Sequence, residues 1–285
     1  MTTYGVTGAT RATGHFGQNA IKELAKLVPA ANIVALARNT QKAEQIVPEG
    51  VEVRSGDYTD EKQLEESLKG IDRLLFISSQ PGGPVARLTQ HENIVKAAKN
   101  AKVGYIAYTS FPHANISEAP LASDHKATEK LILKTGIDHS FLRNNWYLEN
   151  ETATIKAAFN GKPFVYAAGD GKVGWALESE YSEAAAKVLT SNTPKDIYEF
   201  SGTSRTYQDL ANAIKGDFDV KSLSISDFQK DLQDSGMDEG TAEIVASIQD
   251  LIRQGNLDEN SDDLPKVLGR ELTPLTKALE IVSEK

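Results

Sequence analysis

The sequence predicts an α/β protein built as a doubly wound parallel sheet with a small α+β C-terminal lobe. Three observations predict it. Strand and helix signals alternate at roughly 20–30-residue spacing through the first half, the pattern of repeated βαβ units with helices on both faces of the sheet. A glycine-rich turn follows the first strand signal and opens the first helix, as at the ligand-binding edge of such sheets. After Trp146 the alternation gives way to irregular and mainly helical patterns. Residues 1–146 therefore read as one domain. Residues 147–285 read as a smaller substrate-side lobe, interleaved with the first and not independent.

Each element has its own local signal. Residues 4–7 lean apolar and end in the glycine turn. Residues 14–27 put Ile21, Leu24 and Ala25 on one helical face, with Val28 just beyond. Residues 32–37 form a near-continuous apolar run, as a strand covered on both faces requires. A short helix follows at 40–47, and a third strand starts at 51–53 and runs to Gly56 and Asp57. Asp60 with Gln63 three residues later marks the next helix start, with Leu64 and Leu68 behind it. Further strands fall at 74–77, 105–108 and 140–142, separated by helices at 85–100 and 122–134. Beyond Trp146, strands are expected at 164–168 and 197–200, a helix at 178–190, and helical patterns with acidic surfaces from about 206.

Composition limits the chemistry. The 285 residues are 40% apolar and carry 31 Lys plus Arg against 40 Asp plus Glu, a formal net charge of −9. The excess negative charge argues against nucleic-acid and anionic-membrane partners. With no cysteine in the chain, thiol nucleophiles, disulfides and Cys-ligated metals are excluded. No apolar run reaches the roughly 18 residues of a membrane span, and Met1 to Thr10 has no secretory pattern. The expected location is the cytoplasm. Exposed apolar faces would allow a homodimer, though nothing specifies one.

The most informative stretch runs from Val6 to Gly17. Its glycines let the backbone approach a pyrophosphate, and the helix N-terminus behind offers free N–H groups. The bland alternative is a tight strand-to-helix turn. Gly8 and Gly14 are six residues apart, three more than the usual G-x-x-G spacing, because Arg11-Ala12-Thr13 repeats the pattern of Gly8-Ala9-Thr10. The longer loop either bulges and still binds, with Arg11 reaching a phosphate, or blocks the pyrophosphate. The candidate contacts here are Gly8, Thr10, Arg11, Gly14, His15, Phe16 and Gly17. At the end of the second strand, 21 residues past Gly17, stands Arg38 where NAD-selective folds carry a carboxylate. A guanidinium pairs with a 2′-phosphate, so the expected cofactor is NADP(H), unless Arg38 is an ordinary surface residue. Asp57 caps either the adenine edge or merely the next turn.

The other strand ends carry hydroxyls, amides and aromatics. Ser78, then Tyr108, Thr109 and Ser110, then Arg143, Asn144 and Trp146 are expected to face the nicotinamide half. Ordinary short-chain dehydrogenases use Tyr with Lys four residues on as acid or base. Here only Tyr58 has such a lysine, Lys62, and it lies at the wrong strand. No two of the five histidines stand at helical metal-ligand spacing, so no metal is expected. His125, near the start of the helix after strand five, either polarises a carbonyl oxygen as a neutral donor or simply faces water.

These segments bring a family into view. Val6 to Thr10 with Gly14 to Gly17, IVALARN at 33–39, LFISS at 75–79, IAYTS at 106–110, Asp124-His125, LRNNWYLEN at 142–150 and AAGDGK at 167–172 resemble the NmrA-like atypical short-chain dehydrogenases. More closely, the chain looks like the bacterial type-two NAD(P)H:quinone oxidoreductases. The resemblance implies a Rossmann-like NAD(P)-binding domain with a small C-terminal lobe, NADPH held by the 8–17 loop and Arg38, and direct hydride transfer to a quinone without flavin. A quinone is electrophilic enough that positioning and charge stabilisation replace a strong general acid. Asn145 and Tyr147 are the candidate residues for holding the quinone, with Trp146 or Phe111 stacking. The competing reading is a non-enzymatic NADP-sensing regulator of the NmrA-like kind. A dehydrogenase of nucleotide-linked sugars or alcohols is a third, weakened by the missing Tyr/Lys pair.

Overall fold

The computed structural model describes residues 1–10 and 15–285. The chain begins β1 (Tyr4–Val6), α1 (Phe16–Leu27), β2 (Ile33–Ala37), α2 (Thr40–Glu44), β3 (Glu52–Ser55), α3 (Glu61–Leu68) and β4 (Arg73–Phe76). It continues α4 (Arg87–Asn100), β5 (Tyr105–Ser110), α5 (Ser123–Thr135), β6 (Asp138–Asn144), α6 (Thr152–Phe159), β7 (Phe164–Tyr166), β8 (Lys172–Val173) and α7 (Glu178–Thr190). The remainder is β9 (Ile197–Phe200), β10 (Arg205–Thr206), α8 (Tyr207–Ala213), β11 (Val220–Ser222), α9 (Ile225–Asp234), α10 (Glu239–Arg253), α11 (Asp263–Leu268) and α12 (Leu275–Ser283).

The chain divides into two compact units. The first comprises residues 1–144, 178–200 and 263–269. It holds a seven-stranded sheet in the order β3-β2-β1-β4-β5-β6-β9, with every neighbouring pair parallel. Strand order reverses between β1 and β4, the crevice where dinucleotides bind on such sheets. The apolar runs behave as their composition dictates: all residues of β2 and β5 are buried. Leu36, Leu64, Leu74, Phe76, Ile94, Ile106 and Phe141 share one core cluster. Asp60 caps α3 by accepting from the Gln63 N–H at 3.0 Å, the start its sequence signal predicts. Gly136 ends α5 in the left-handed region at φ 76°.

The sequence pattern leaves residues 197–200 without a partner. The structure pairs them with β6, Phe141 opposite Ile197, as the seventh strand. Helix α4 starts at Arg87, two residues later than predicted, since Pro84 and the residues after it stay extended or turned.

The second unit comprises residues 145–177, 201–262 and 270–285. It is largely helical, with two small sheets, β7 with β11 and β8 with β10. One core cluster in it gathers Ala167, Phe228 and Ala246. Thr206 and Asp209 form a reciprocal capping box at the start of α8, which satisfies two otherwise orphaned N–H groups. No helix among the described residues is long and apolar enough to cross a membrane.

Candidate cofactor site

The site grows from the carboxyl ends of β1, β2, β3 and β4. Thr7 fixes the first of these: its hydroxyl donates to the Leu75 carbonyl at 3.3 Å and accepts from the Ile77 N–H at 2.8 Å. Two glycines then do what only glycine can. Gly8 sits at φ 69°, a left-handed conformation costly for other residues. Gly17, in the first turn of α1, lies against β1. A Cβ there would stand 2.8 Å from the Gly8 carbonyl carbon and 3.0 Å from the Thr7 oxygen. The helix thus approaches the strand as closely as a dinucleotide fold requires.

A pocket of about 530 Å³ opens at these strand ends, lined by Gly8, Thr10, Arg38, Asp57, Ser78 and the 79–85 loop among others. Arg38 is exposed and lines it at the end of β2. Asp57 turns its carboxylate to Thr59, accepting from the backbone N–H at 2.9 Å and the hydroxyl at 2.8 Å. It thus caps the next turn while also lining the pocket. The glycine approach, a basic group at the end of β2 and a pocket of this size fit NADP(H).

The predicted contacts divide into those at the pocket and those elsewhere. Gly8, Thr10, Arg38 and Ser78 line it. His15 precedes α1 and donates its N–H to Glu178 Oε1 at 2.9 Å, and Phe16 is buried as the first residue of α1. Arg11 and Gly14 lie outside the described residues. Thr109 supports the pocket wall: its hydroxyl accepts from the Ser78 N–H at 2.9 Å. Ser110 and Arg143 are turned inward. Ser110 donates to Glu129 Oε1 at 2.6 Å. Arg143 gives Nε and Nη2 to Glu129 at 3.0 and 2.8 Å, and Nη1 to Glu199 at 2.8 Å. Asn144 is buried at the end of β6.

Asn145, Trp146 and Tyr147 belong to the second unit. Asn145 is braced, its Oδ1 accepting from the Trp146 N–H at 2.8 Å and its Nδ2 donating to the Leu257 carbonyl at 3.1 Å. The Trp146 indole N–H donates to Glu151 at 3.1 Å. Tyr147 is half-buried and bridges to Ala176.

His125 does not face water; it is 7% exposed. Its Nε2 lies 3.1 Å from Arg87 Nη2 and its Nδ1 2.9 Å from the Tyr108 hydroxyl. His91 sits beside it, with Nε2 3.0 Å from the Ser79 N–H and Nδ1 2.8 Å from Thr128 Oγ1. A guanidinium and a backbone N–H can only donate. Both Nε2 atoms are therefore acceptors, and both ring protons sit on Nδ1. Burial and the Arg87 charge push the His91 pKa down to about 3. The same causes, with His91 added, hold His125 well below its ordinary range. Both rings are neutral. Burial also keeps the Tyr108 phenol protonated, its pKa raised.

Sequence reasoning missed Arg87 and His91. Their one signal is spacing: four apart, they share a face of α4 and meet His125 and Thr128, three apart on α5.

Comparison with known proteins agrees with this geometry. A model of the NAD(P)H-binding family matches residues 12–172. Quinone oxidoreductase 2 of Escherichia coli K12 is 38% identical over 280 residues, covering 96% of both chains. The crystal structure of the E. coli NADPH-dependent quinone oxidoreductase complexed with NADPH aligns at TM-score 0.90 and 37% identity, covering 98% of this chain and 99% of that one. Triphenylmethane reductase of Citrobacter sp., complexed with NADP(H), aligns at TM-score 0.90 and 35% identity with the same coverage. The chain belongs to the NAD(P)H-binding family, in the company of quinone oxidoreductase 2.

Proposed function

We propose that this protein is an NADPH-dependent quinone reductase that passes hydride directly to its acceptor. The observation that carries the reading is the near full-length likeness, in sequence and fold, to a quinone oxidoreductase. The regulator reading is not favoured, because the likeness to reductases runs through the whole chain.

NADPH, when bound, supplies the hydride. The chain's own residues bind and orient it: Gly8 and Gly17 clear the backbone for the pyrophosphate, and Arg38 meets the 2′-phosphate. Ser78, tied to Thr109 at 2.9 Å, fixes the wall beyond. Reduction of a quinone leaves a phenolate-type oxygen that solvent can protonate, so orientation and charge stabilisation suffice. Asn145 and Tyr147 complete the proposal as residues acting on the quinone, in a substrate-side lobe. The reading extends to the cytoplasm and, through exposed apolar side chains such as Ile116 and Leu133, to a homodimer, which light scattering tests.

The deciding experiment titrates the purified protein with NADPH and NADH, then adds 1,4-benzoquinone and follows absorbance of the reduced cofactor. Tighter binding of NADPH with quinone-dependent oxidation is the expected result. Tight binding without turnover would overturn the reductase in favour of the regulator. Full activity in both Asn145→Ala and Tyr147→Phe would remove those two residues from the mechanism.

A further inference from the structure

Arg87 is out of balance with its surroundings. It is half-buried at the start of α4, and its Nε is shut off from solvent with no hydrogen-bond partner among the described residues. Its Nη2 donates to a neutral histidine, not to a carboxylate. Asp124 acts on it only through the longer-range field, while burial lowers its pKa. A shielded guanidinium with an unmet N–H carries an unpaid desolvation cost, and an anion arriving beside it would lower that cost.

The position says which anion. Val85 and Gln90, on either side of Arg87 in sequence, both line the cofactor pocket. Arg38 marks the adenosine end of that pocket at β2. A dinucleotide laid across the carboxyl ends of the strands then runs from β2 toward β4 and β5. Arg87 follows β4, and His125 follows β5. Both therefore follow strands on the opposite side of β1 from the strand that carries Arg38, the side on which such a dinucleotide places its nicotinamide half.

The chain behind Arg87 has a fixed polarity. Arg87 donates to His125 Nε2 at 3.1 Å, and His125 Nδ1–H donates to the Tyr108 hydroxyl at 2.9 Å. In parallel, the Ser79 N–H donates to His91, and His91 Nδ1–H donates to Thr128, which donates to the Asp124 carbonyl at 2.7 Å. His125 has its lone pair and its proton both committed. It has no proton to deliver outward, and its work is to hold the guanidinium.

We propose that Arg87 is a further catalytic residue, the guanidinium that stabilises the negative charge arriving on the quinone oxygen, with His125 and Tyr108 as positioning residues behind it. The proposal rests on the quinone reductase reading. In the step, hydride brings two electrons and one hydrogen nucleus to the quinone, leaving one oxygen as a phenolate and the cofactor oxidised. Arg87 holds that phenolate until water supplies the second proton.

Two measurements test it. With 1,4-benzoquinone, Arg87→Gln is expected to lower kcat about 100-fold, the effect of removing one oxyanion donor, while the NADPH Kd stays within about threefold. Arg87→Lys keeps the charge but loses the fork and should fall between. His125→Asn should lower kcat about tenfold, and added guanidinium should partly restore Arg87→Ala. The second readout needs no turnover: 4-nitrophenol is bound to the protein saturated with NADP⁺, and its absorbance is followed with pH. Wild type should shift its ionisation toward the phenolate, and Arg87→Gln should abolish the shift. Unchanged kcat in Arg87→Gln, or a loss confined to NADPH affinity, overturns the proposal. The latter would assign Arg87 to a cofactor phosphate. If wild type oxidises no NADPH with quinone, the reductase reading fails on its own account. The nitrophenol shift still decides whether Arg87 holds an aryl oxyanion.

Discussion

Arg143 and Glu129 meet through both arms of the guanidinium, Nε to Oε1 at 3.0 Å and Nη2 to Oε2 at 2.8 Å, with each side chain only 5% exposed. The pair ties β6 to α5, and Ser110 of β5 adds a hydroxyl to the same carboxylate at 2.6 Å. Glu199 of β9 takes the remaining arm. One charged knot therefore joins the last three strands of the sheet. Removing one partner strands the others' charge away from water. Arg143→Met is expected to cost about 3–5 kcal/mol, read as a lower midpoint in urea unfolding. Arg143→Lys, which cannot make the bidentate fork, should recover only part. Wild-type stability in Arg143→Met would show that the knot is energetically idle.

That knot also shows where sequence reading stops. Polar residues at strand ends read as ligand contacts, and Ser78 does line the pocket. Ser110 and Arg143 stand at equivalent strand ends but are engaged by Glu129, which arrives on a separate helix. Strand periodicity tells which face a side chain takes, not which partner meets it. The solid apolar runs of β2 and β5 were legible because burial on both faces leaves no other composition. The pairing of β9 with β6 was not, because it joins segments some fifty residues apart. The two-residue strands β8 and β10 are too short to show any period. The special positions of Gly8 and Gly17 were legible because φ and close approach are local demands. The Arg87–His125–Tyr108 chain is tertiary, made where two helices and a strand meet.

Arg38 should decide between the two nicotinamide cofactors. It lines the pocket at the end of β2, with no demand on it from the core. Arg38→Ala is expected to raise the NADPH Kd about 10- to 100-fold, roughly 1.4 kcal/mol per tenfold, while leaving NADH nearly unchanged. Isothermal titration of both cofactors checks it. Equal weakening of both would mean that Arg38 serves a group the cofactors share.

Gly17 should tolerate no side chain. The added Cβ of Gly17→Ala meets backbone at 2.8 Å from the Gly8 carbon, where no flexible side chain can yield. Either α1 backs away from β1 or Gly8 leaves its conformation. Overpacking of this kind costs about 1–3 kcal/mol. NADPH binding should fall with it, because the same displacement moves the backbone at Gly8, which lines the pocket. A variant with lower thermal stability but an unchanged NADPH Kd would separate packing from binding and refute the shared cause.

Glu151 supplies a pH dependence whose sign can be worked out. It is 8% exposed and accepts from the Tyr207 hydroxyl at 2.8 Å and the Trp146 indole at 3.1 Å. Gln249, held by the Ala167 and Ala168 N–H groups, donates in turn to Tyr207 at 2.7 Å. Burial nevertheless wins over these donors and raises the carboxyl to about 7. Below the ordinary carboxylate pKa of about 4.5 both states are protonated, and Glu151 costs nothing. As pH rises from there to about 7, the unfolded chain gives up this proton while the folded chain keeps it, so stability falls. Above 7 the loss is complete, and for this group alone it amounts to roughly 3 kcal/mol. His91, with its pKa pushed down to about 3, acts oppositely. Its contribution is present above about 6.5 and is lost as pH drops. The comparison that isolates Glu151 is therefore the difference between Glu151→Gln and wild type, measured by urea unfolding at each pH. The neutral amide should gain on wild type steadily between pH 4.5 and 7 and then hold level. A difference that does not change with pH would mean that the folded carboxyl titrates where an exposed one does, its donors having offset burial.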